Sequence, residues 1–383
     1  MGGVLQAATG AGKTRMAAKL VQLLQVQTLF VVNTKALLEQ AKGDFEKLLG
    51  VEVGVIGGGK VDVRSCTITT VQSLARAFGF AKKGDFDEDD EWTDEEMLAR
   101  KVEIIGALAT AKCVIVDECH GVAARTCYSV VLEATSAVCV VGLSASPWRD
   151  DGADILIEAA CGPVTYKISA TDLIDRGWLV RPTIEVHQLP NPTDGNPDRR
   201  SDTFGRVYNA WVVDDEARNS YICDLVEVHL LAEEQVIILV KQVRHGRALE
   251  KMLKHRLGDG CVKFLHGQVA TKQRKETMAT ARQGDLRCLI GTSLADQGLD
   301  LPRASVLVLA GGGKSSTRAL QRIGRVLRTE DGRQVCAEHA KKTATVYDIV
   351  DFGQSTLRRH YYERLRIYKS EPGFNIQVRK VQL

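Results

Sequence analysis

The chain has no long apolar run. No window of its 383 residues approaches the ~18 apolar residues that a membrane-spanning helix needs. No basic segment leading into an apolar stretch stands at the N-terminus, so no secretory leader is expected. Cys-x-x-Cys pairs are missing too, although ten cysteines are present. Most of them sit inside apolar runs, as Cys113 does in KCVIVD, Cys139 in AVCVVG and Cys288 in RCLIG. They read as small buried hydrophobes of a reducing compartment, not as disulfide partners. Cys119 and His120 are adjacent, yet no second ligand pair stands at zinc spacing. A cytoplasmic protein that does not engage membranes is therefore expected. A strong charge imbalance is also lacking. The net charge is +3, so any surface for a polyanion has to be local and balanced by acidic segments elsewhere.

What is present is an ordinary globular composition, 44% hydrophobic and 26% charged. At roughly 150 residues per domain the length predicts two or three domains. Short apolar runs alternate with longer helical patterns, which is the sequence form of an α/β fold with a parallel sheet and helices on both faces. In the first half the strand candidates are residues 3–9, 28–33, 66–70, 113–117 and 137–144. After about residue 235 the alternation restarts, with candidates at 236–240, 262–267, 287–292, 305–310 and 345–350. The expected organisation is a first domain over 1–165, a connector over 166–215 and a second domain over 216–383. The connector is suggested by PNPTDGNPDRRSD (190–202), which can continue neither a helix nor a central strand. The acidic run KKGDFDEDDEWTDEE (82–96) reads as a solvated insertion in the first domain.

Residues 7–14, AATGAGKT, follow a predicted strand and open a predicted helix, the context of a phosphate-binding loop. Ala8, Thr9, Gly10, Ala11 and Gly12 would wrap backbone N–H groups around phosphate at a helix N-terminus that favours anions. Lys13 would neutralise phosphate charge, and the Thr14 hydroxyl would ligate Mg²⁺. The strict G-x-x-x-x-G-K-T pattern fails at its first position, where Ala7 stands. Two other glycine-rich stretches compete. GGGK (57–60) lacks a following hydroxyl residue, and GGGKSS (311–316) has Val308 where the pattern wants glycine. Neither is expected to hold nucleotide.

CVIVDECH (113–120) is an apolar strand ending in two acids. Asp117 would hold Mg²⁺ and Glu118 would polarise the attacking water. Such strand ends are common. About a hundred residues after a phosphate loop in the same α/β unit, this one points to nucleotide hydrolysis with ATP and Mg²⁺ as cofactors.

Together these segments resemble the superfamily-two helicases of the DExH type. AATGAGKT is similar to motif I, VVNTKALLEQ (31–40) to Ia, TTVQSL (69–74) to Ib, DECH to II and SAS (144–146) to III. In the second half, the run ILVKQVRHGRALEKML is similar to motif IV, IGTSLADQGLDLP (290–302) to V and QRIGRVLR (321–328) to VI. GLSASPWRDDG and GGGKSSTRALQRIGRVLR look most like the UvsW-type and XPB-type DNA repair and recombination branch, and restriction-enzyme motor subunits are similar too. The resemblance implies two tandem RecA-like domains with the ATP site in the cleft between them. It implies motif III as the coupling of ATP state to nucleic-acid grip. Arg325 and Arg328, three apart on one helix face, would act as arginine fingers with Gln321 beside them, an effect worth ~10³–10⁵ in rate. Asp300 would sit near the ribose or the arginines. Thr34, Thr70 and Thr292 would meet nucleic-acid phosphates, although each alone also fits an ordinary β-branched strand end.

The expected function is an ATP-dependent helicase or translocase acting on nucleic acid, DNA before RNA. Alternatives are an RNA helicase, a non-unwinding motor for a nuclease, and a nucleic-acid-binding protein with a crippled ATP site. The last is motivated by the start of the chain. Only twelve residues precede Lys13, and Gln6 stands too close to the loop to read adenine; the readings open are a truncated reading frame, an excerpt, or a minimal motor with loose nucleotide preference. In LRRHYYERLRIYK (357–369), Leu357, Tyr361, Leu365 and Tyr368 recur at helical spacing. That stripe is expected to pack on the second domain and leave the arginines outside.

Overall fold

The computed structural model describes residues 2–79, 94–123, 136–145, 154–190, 203–292, 301, 303–311, 323–324 and 344–382. The chain divides into two compact units, Met1–Ser169 and Ala170–Leu383.

In the first unit the apolar runs become strands β1 (Gly2–Ala7), β2 (Thr28–Val32), β3 (Gly54–Gly57), β4 (Lys60–Asp62), β5 (Cys66–Thr70), β6 (Cys113–Asp117), β7 (Cys139–Ser144) and β8 (Val164–Ile168). Their order across the sheet is β4-β3-β5-β2-β6-β7-β1-β8. All neighbours are parallel except β3 and β4, which form a hairpin. The turn of that hairpin is Gly57–Gly59, each with positive φ, so GGGK is a turn element. Helices α1 (Lys13–Leu24), α2 (Lys35–Leu49), α3 (Val71–Phe78), α4 (Asp94–Thr110) and α5 (Asp154–Cys161) complete the unit.

Two cores form because successive strand residues point to opposite faces. Phe30 of β2 packs with Ala17, Ala18 and Val21 of α1 and with Leu38 and Phe45 of α2. Its neighbours Leu29 and Val31 pack with Leu74 of α3, Ile104 and Leu108 of α4 and Ile157 of α5. The rings of Phe30 and Phe45 lie 4.8 Å apart. Truncating Phe45 to Ala would cost about 3–5 kcal/mol.

The second unit holds one parallel sheet of β9 (Pro182–Leu189), β10 (Val236–Val240), β11 (Val262–Leu265), β12 (Cys288–Thr292), β13 (Val306–Leu309), β14 (Ala344–Asp351) and β15 (Asn375–Lys380). The order is β11-β12-β10-β13-β14-β9-β15. Its helices are α6 (Ala170–Asp175), α7 (Phe204–Tyr208) running into a π-turn at Asn209–Val213, α8 (Glu216–Leu231), α9 (Val243–Leu257), α10 (Thr271–Gln283) and α11 (Ser355–Lys369).

Two expectations need correction. The described part of the expected connector, 166–215, belongs largely to the second unit: β9 pairs with β14 from Pro182↔Ala344 to Leu189↔Asp351. Polar residues disguise this strand in the sequence. His187 is buried, but its ring nitrogens meet the Glu185 carboxylate at 3.1 Å and the Tyr221 hydroxyl at 2.7 Å. Burial of polar groups is tolerated when they are paired. The second correction concerns the C-terminal helix. Leu357, Tyr361 and Tyr368 are buried as expected and Leu365 is half-buried, but Arg364 is buried with them. Its guanidinium forks onto both oxygens of Asp348 at 2.9 and 2.8 Å, and the Tyr368 hydroxyl donates to the same carboxylate at 2.9 Å.

A second buried pair ties the π-turn region to the sheet. Arg218, fully buried on α8, donates to Asp351 at 2.9 Å and to the Ala310 carbonyl at 2.7 Å. Tyr208 donates to the neighbouring Gly311 carbonyl at 2.8 Å. Both contacts fix the exit of β13, from which the chain leaves toward residues 312–322, outside the described set.

Candidate active site

In a parallel sheet with helices on its faces, ligands are held outside the carboxyl ends of the strands, where loops and helix N-termini converge. In the first unit these ends run, from one side, as Thr70 at the end of β5, Thr34 after β2, Asp117 and Glu118 at β6, Ser144 at β7, and the loop Ala8–Gly12 after β1. The residues singled out by sequence in the first half therefore share one edge. The phosphate candidates occupy its β6-β7-β1 side and the nucleic-acid candidates its β5-β2 side.

The loop after β1 is shaped by its own backbone. Ala8 N–H donates to Ile168 and Ala11 N–H donates back to Ala8, both at 3.0 Å. Gly10 and Gly12 adopt φ of 91° and 79°, which L side chains rarely reach. Gly12 caps α1 without any side-chain bond, and no acidic residue lies in the first turn. The N–H groups and dipole of a 12-residue helix thus face outward uncompensated, which suits a phosphate group. The Thr9 hydroxyl oxygen is buried with no partner among the described residues. The loop fits a polyphosphate.

Lys13, first residue of α1, places Nζ 2.9 Å from Glu118 Oε1. Glu118 itself adopts φ 49°, a left-handed conformation that costs a non-glycine residue roughly 1–2 kcal/mol. Its N–H donates to Asp117 Oδ1 at 3.1 Å, closing the turn in which both acids lie. Burial pushes the Asp117 carboxyl up to about 6, helped by the negative charge of Glu118. Burial acts on Glu118 in the same direction, but the Lys13 ammonium and His120 outweigh it and bring that carboxyl down to about 2. Glu118 is thereby held ionised, the state a general base requires.

His120 was not among the residues expected at the site. The structure brings its Nδ1 to 3.2 Å from Ser144 Oγ and 3.3 Å from Glu118 Oε2, with Ser144 Oγ 3.5 Å from the same oxygen. The end of β6 is thus connected to the end of β7 through polar side chains. The only sequence signals were the fourth letter of DECH and the serine that opens SAS, 24 residues later.

Thr34 and Thr70 act as N-caps. Thr34 Oγ1 accepts from Leu37 N–H at 3.3 Å, and Thr70 Oγ1 accepts from Ser73 N–H at 3.2 Å while sharing a proton with Ser73 Oγ at 2.9 Å. Gln72 donates to the Asn33 carbonyl at 2.8 Å and ties the two turns together. In the second unit Thr292 ends β12, and its hydroxyl oxygen is buried with no partner among the described residues. Asp300, Gln321, Arg325 and Arg328 lie outside the described residues.

Among the described residues no three His, Cys, Asp or Glu side chains gather as a metal cage. A Mg²⁺ carried on phosphates needs fewer protein ligands, and the Thr14 hydroxyl and Asp117 carboxylate are of the hard-oxygen kind it takes. No helix among the described residues is long and apolar enough to cross a membrane.

Comparison with known proteins matches both halves of the chain to helicase-related families. The family described as "Type III restriction enzyme, res subunit" matches residues 1–149, and the helicase conserved C-terminal domain matches residues 217–330. The chain is 25% identical over 377 residues to the DNA 3'-5' translocase XPB2 of Sulfurisphaera tokodaii, covering 90% of this chain and 79% of that protein. It is 25% identical over 285 residues to the ATP-dependent DNA helicase uvsW of Enterobacteria phage T4, covering 70% of this chain and 54% of that protein. The chain thus spans between about half and four fifths of these relatives. In fold it is similar to S. cerevisiae Dbp5 bound to RNA and ADP BeF3, with a TM-score of 0.66, 16% identity, and 99% of this chain and 85% of that one covered.

Proposed function

The chain belongs to the superfamily-two helicases, ATP-hydrolysing enzymes, and on that premise we propose that it moves on DNA in repair or recombination. The observation that carries the proposal is the contact of Lys13 with Glu118 at the uncapped start of α1, beside Asp117. A phosphate-binding lysine, a metal-binding acid and an ionised base stand together where phosphates would enter. DNA is favoured over RNA by the relatives named for DNA translocation and DNA unwinding.

In this reading the γ-phosphate draws Lys13 away from Glu118, which frees the carboxylate to accept a proton from the attacking water. The N–H groups of Gly10, Gly12 and Lys13 orient the phosphates. Thr14 and Asp117 would hold Mg²⁺, which would supply charge to stabilise the transferred group. His120 carries the state of Glu118 to Ser144. Thr34, Thr70 and Thr292 hold phosphates of the nucleic acid without reading bases, as a stepping motor requires. Arg325 and Arg328, with Gln321, are proposed to complete γ-phosphate recognition from the second unit, and Asp300 to stand near the ribose.

The test is the ATPase rate against single-stranded DNA, duplex DNA, branched DNA and RNA, with a strand-displacement assay beside it. Stimulation by DNA, strongest on branched or duplex forms, is expected, and Lys13→Ala and Arg325→Ala should each abolish it. Absence of any nucleic-acid-stimulated hydrolysis, with no effect of Glu118→Gln, would leave a binding protein with a crippled site.

A further inference from the structure

The C-terminal helix α11 has two faces of different chemistry. One is buried: Leu357, Tyr361, Arg364 and Tyr368 pack inward, and the forked bond of Arg364 to Asp348 fixes the helix rotation. The other carries Arg359, Tyr362, Arg366 and Lys369, spaced by three, four and three residues and hence aligned along one stripe. All four are exposed, Tyr362 by 52%. The helicase motifs leave this stripe unused.

Part of the basic charge on helix α9 is paired with acids. Lys254 of α9 pairs with Glu250 at 2.8 Å, Arg256 with Asp224, and Arg244 with Asp214. Among the described residues, no carboxylate stands within ion-pair distance of Arg359, Arg366 or Lys369. One acid, Glu363, flanks the stripe against its three cations. Arg358, beside it, lays its guanidinium 5.6 Å from the Phe352 ring centroid. In a chain whose whole net charge is +3, this is a concentrated positive surface.

We propose that the outward face of α11 binds a single nucleic-acid strand, with Arg359, Arg366 and Lys369 on its phosphates and Tyr362 stacked on a base. The inference rests on the helicase reading and adds to it a grip separate from the motifs. From Arg359 to Lys369 the helix rises about 15 Å, the length of roughly four nucleotides of a stacked strand. The aromatic ring stands between the cations, the arrangement by which sequence-tolerant single-strand binding combines charge with stacking. The Tyr362 ring rests one edge on Tyr361 at 5.1 Å and Phe352 at 6.3 Å and leaves half its surface open to a base.

The experiment is fluorescence anisotropy of the full chain with a labelled single strand, and with its duplex, across 50–200 mM salt and without nucleotide. Replacing Arg359, Arg366 and Lys369 together by Ala should weaken single-strand binding roughly tenfold and lower the salt slope by about 2, at ~0.7 per phosphate contact. Tyr362→Ala should weaken single-strand binding roughly tenfold at unchanged slope, and Tyr362→Phe should restore it. Should the triple variant melt early, the charge-keeping variant Arg359→Lys/Arg366→Lys has to show the wild-type slope, and failure there overturns the proposal. So does a triple variant that matches wild type, or one that loses duplex affinity alone. If the wild-type chain binds no nucleic acid at all, the helicase reading falls together with this one.

Discussion

Lys13 and Glu118 hold each other across 2.9 Å. In the proposed reaction the lysine turns to phosphate and the carboxylate to water. Nucleotide binding therefore competes with an internal ion pair. Glu118→Gln removes that competition along with the base. Nucleotide should bind about twofold to fivefold tighter, the worth of a partly exposed pair, while turnover falls by at least ~10². Titration of a fluorescent ATP analogue beside a steady-state assay checks both. Weaker nucleotide binding in this variant would refute the competition.

The triangle of His120, Ser144 and Glu118 predicts a different phenotype. Ser144→Ala leaves the phosphate loop and both acids in place but removes one corner of the link to β7. Hydrolysis without nucleic acid should persist within a fewfold of wild type. Stimulation by DNA should fall by about tenfold, the effect of losing one coupling energy of roughly 1–3 kcal/mol. Equal loss of both rates would mean that Ser144 serves hydrolysis itself.

The elements that sequence made legible are those whose physics is local. Fully buried parallel strands such as β2, β10 and β12 read as unbroken apolar runs because both their faces are covered. The phosphate loop and the Asp117–Glu118 pair are contiguous and carry their chemistry in order. Edge strands were hidden: β8 and β15 are mostly exposed, so VTYKI and NIQVRK show no core pattern. The glycine-rich GGGK was legible as a rival motif but not as a hairpin turn, because its partner strands are short. The approach of His120 to Ser144 depends on β6 lying beside β7, with Asp117 level with Leu143, a long-range fact that no spacing rule contains. Likewise, the burial of Arg364 follows from Asp348 on β14, sixteen residues earlier.

Buried ion pairs make a stability prediction in the second unit. Arg218 is fully buried, and its partner Asp351 is nearly so, with its carboxyl raised by burial against the lowering influence of Arg218. Arg218→Met would strand that carboxylate and leave the Ala310 carbonyl unmet. The cost should be about 3–5 kcal/mol, read as a shift in urea midpoint. Arg218→Met/Asp351→Leu should recover much of it, because the unpaired charge is gone. A single variant as stable as wild type would contradict the burial of this pair.

His245 gives the second unit a pH dependence with a definite sign. It is fully buried on α9, its Nε2 lies 2.9 Å from Asn219 Oδ1, and its Nδ1 has no partner among the described residues. Burial, and then the charge of Arg218, pushes its pKa down to about 3 from the ordinary 6.5. Above pH 6.5 both folded and unfolded chains hold it neutral, and it adds no pH dependence. Below 6.5 the unfolded chain takes a proton that the folded one refuses, so stability falls as pH drops, by up to ~1.4 kcal/mol per pH unit, until about pH 3. The raised carboxyl of Asp351 works in the opposite direction, so the effect has to be isolated by difference. His245→Gln keeps an amide N–H for Asn219 and does not titrate. Urea midpoints of the two chains should run parallel from pH 8 to 7 and diverge below, by roughly 2 kcal/mol at pH 5, with wild type the more acid-sensitive. Parallel curves down to pH 5 would show that this imidazole accepts its proton in the folded state.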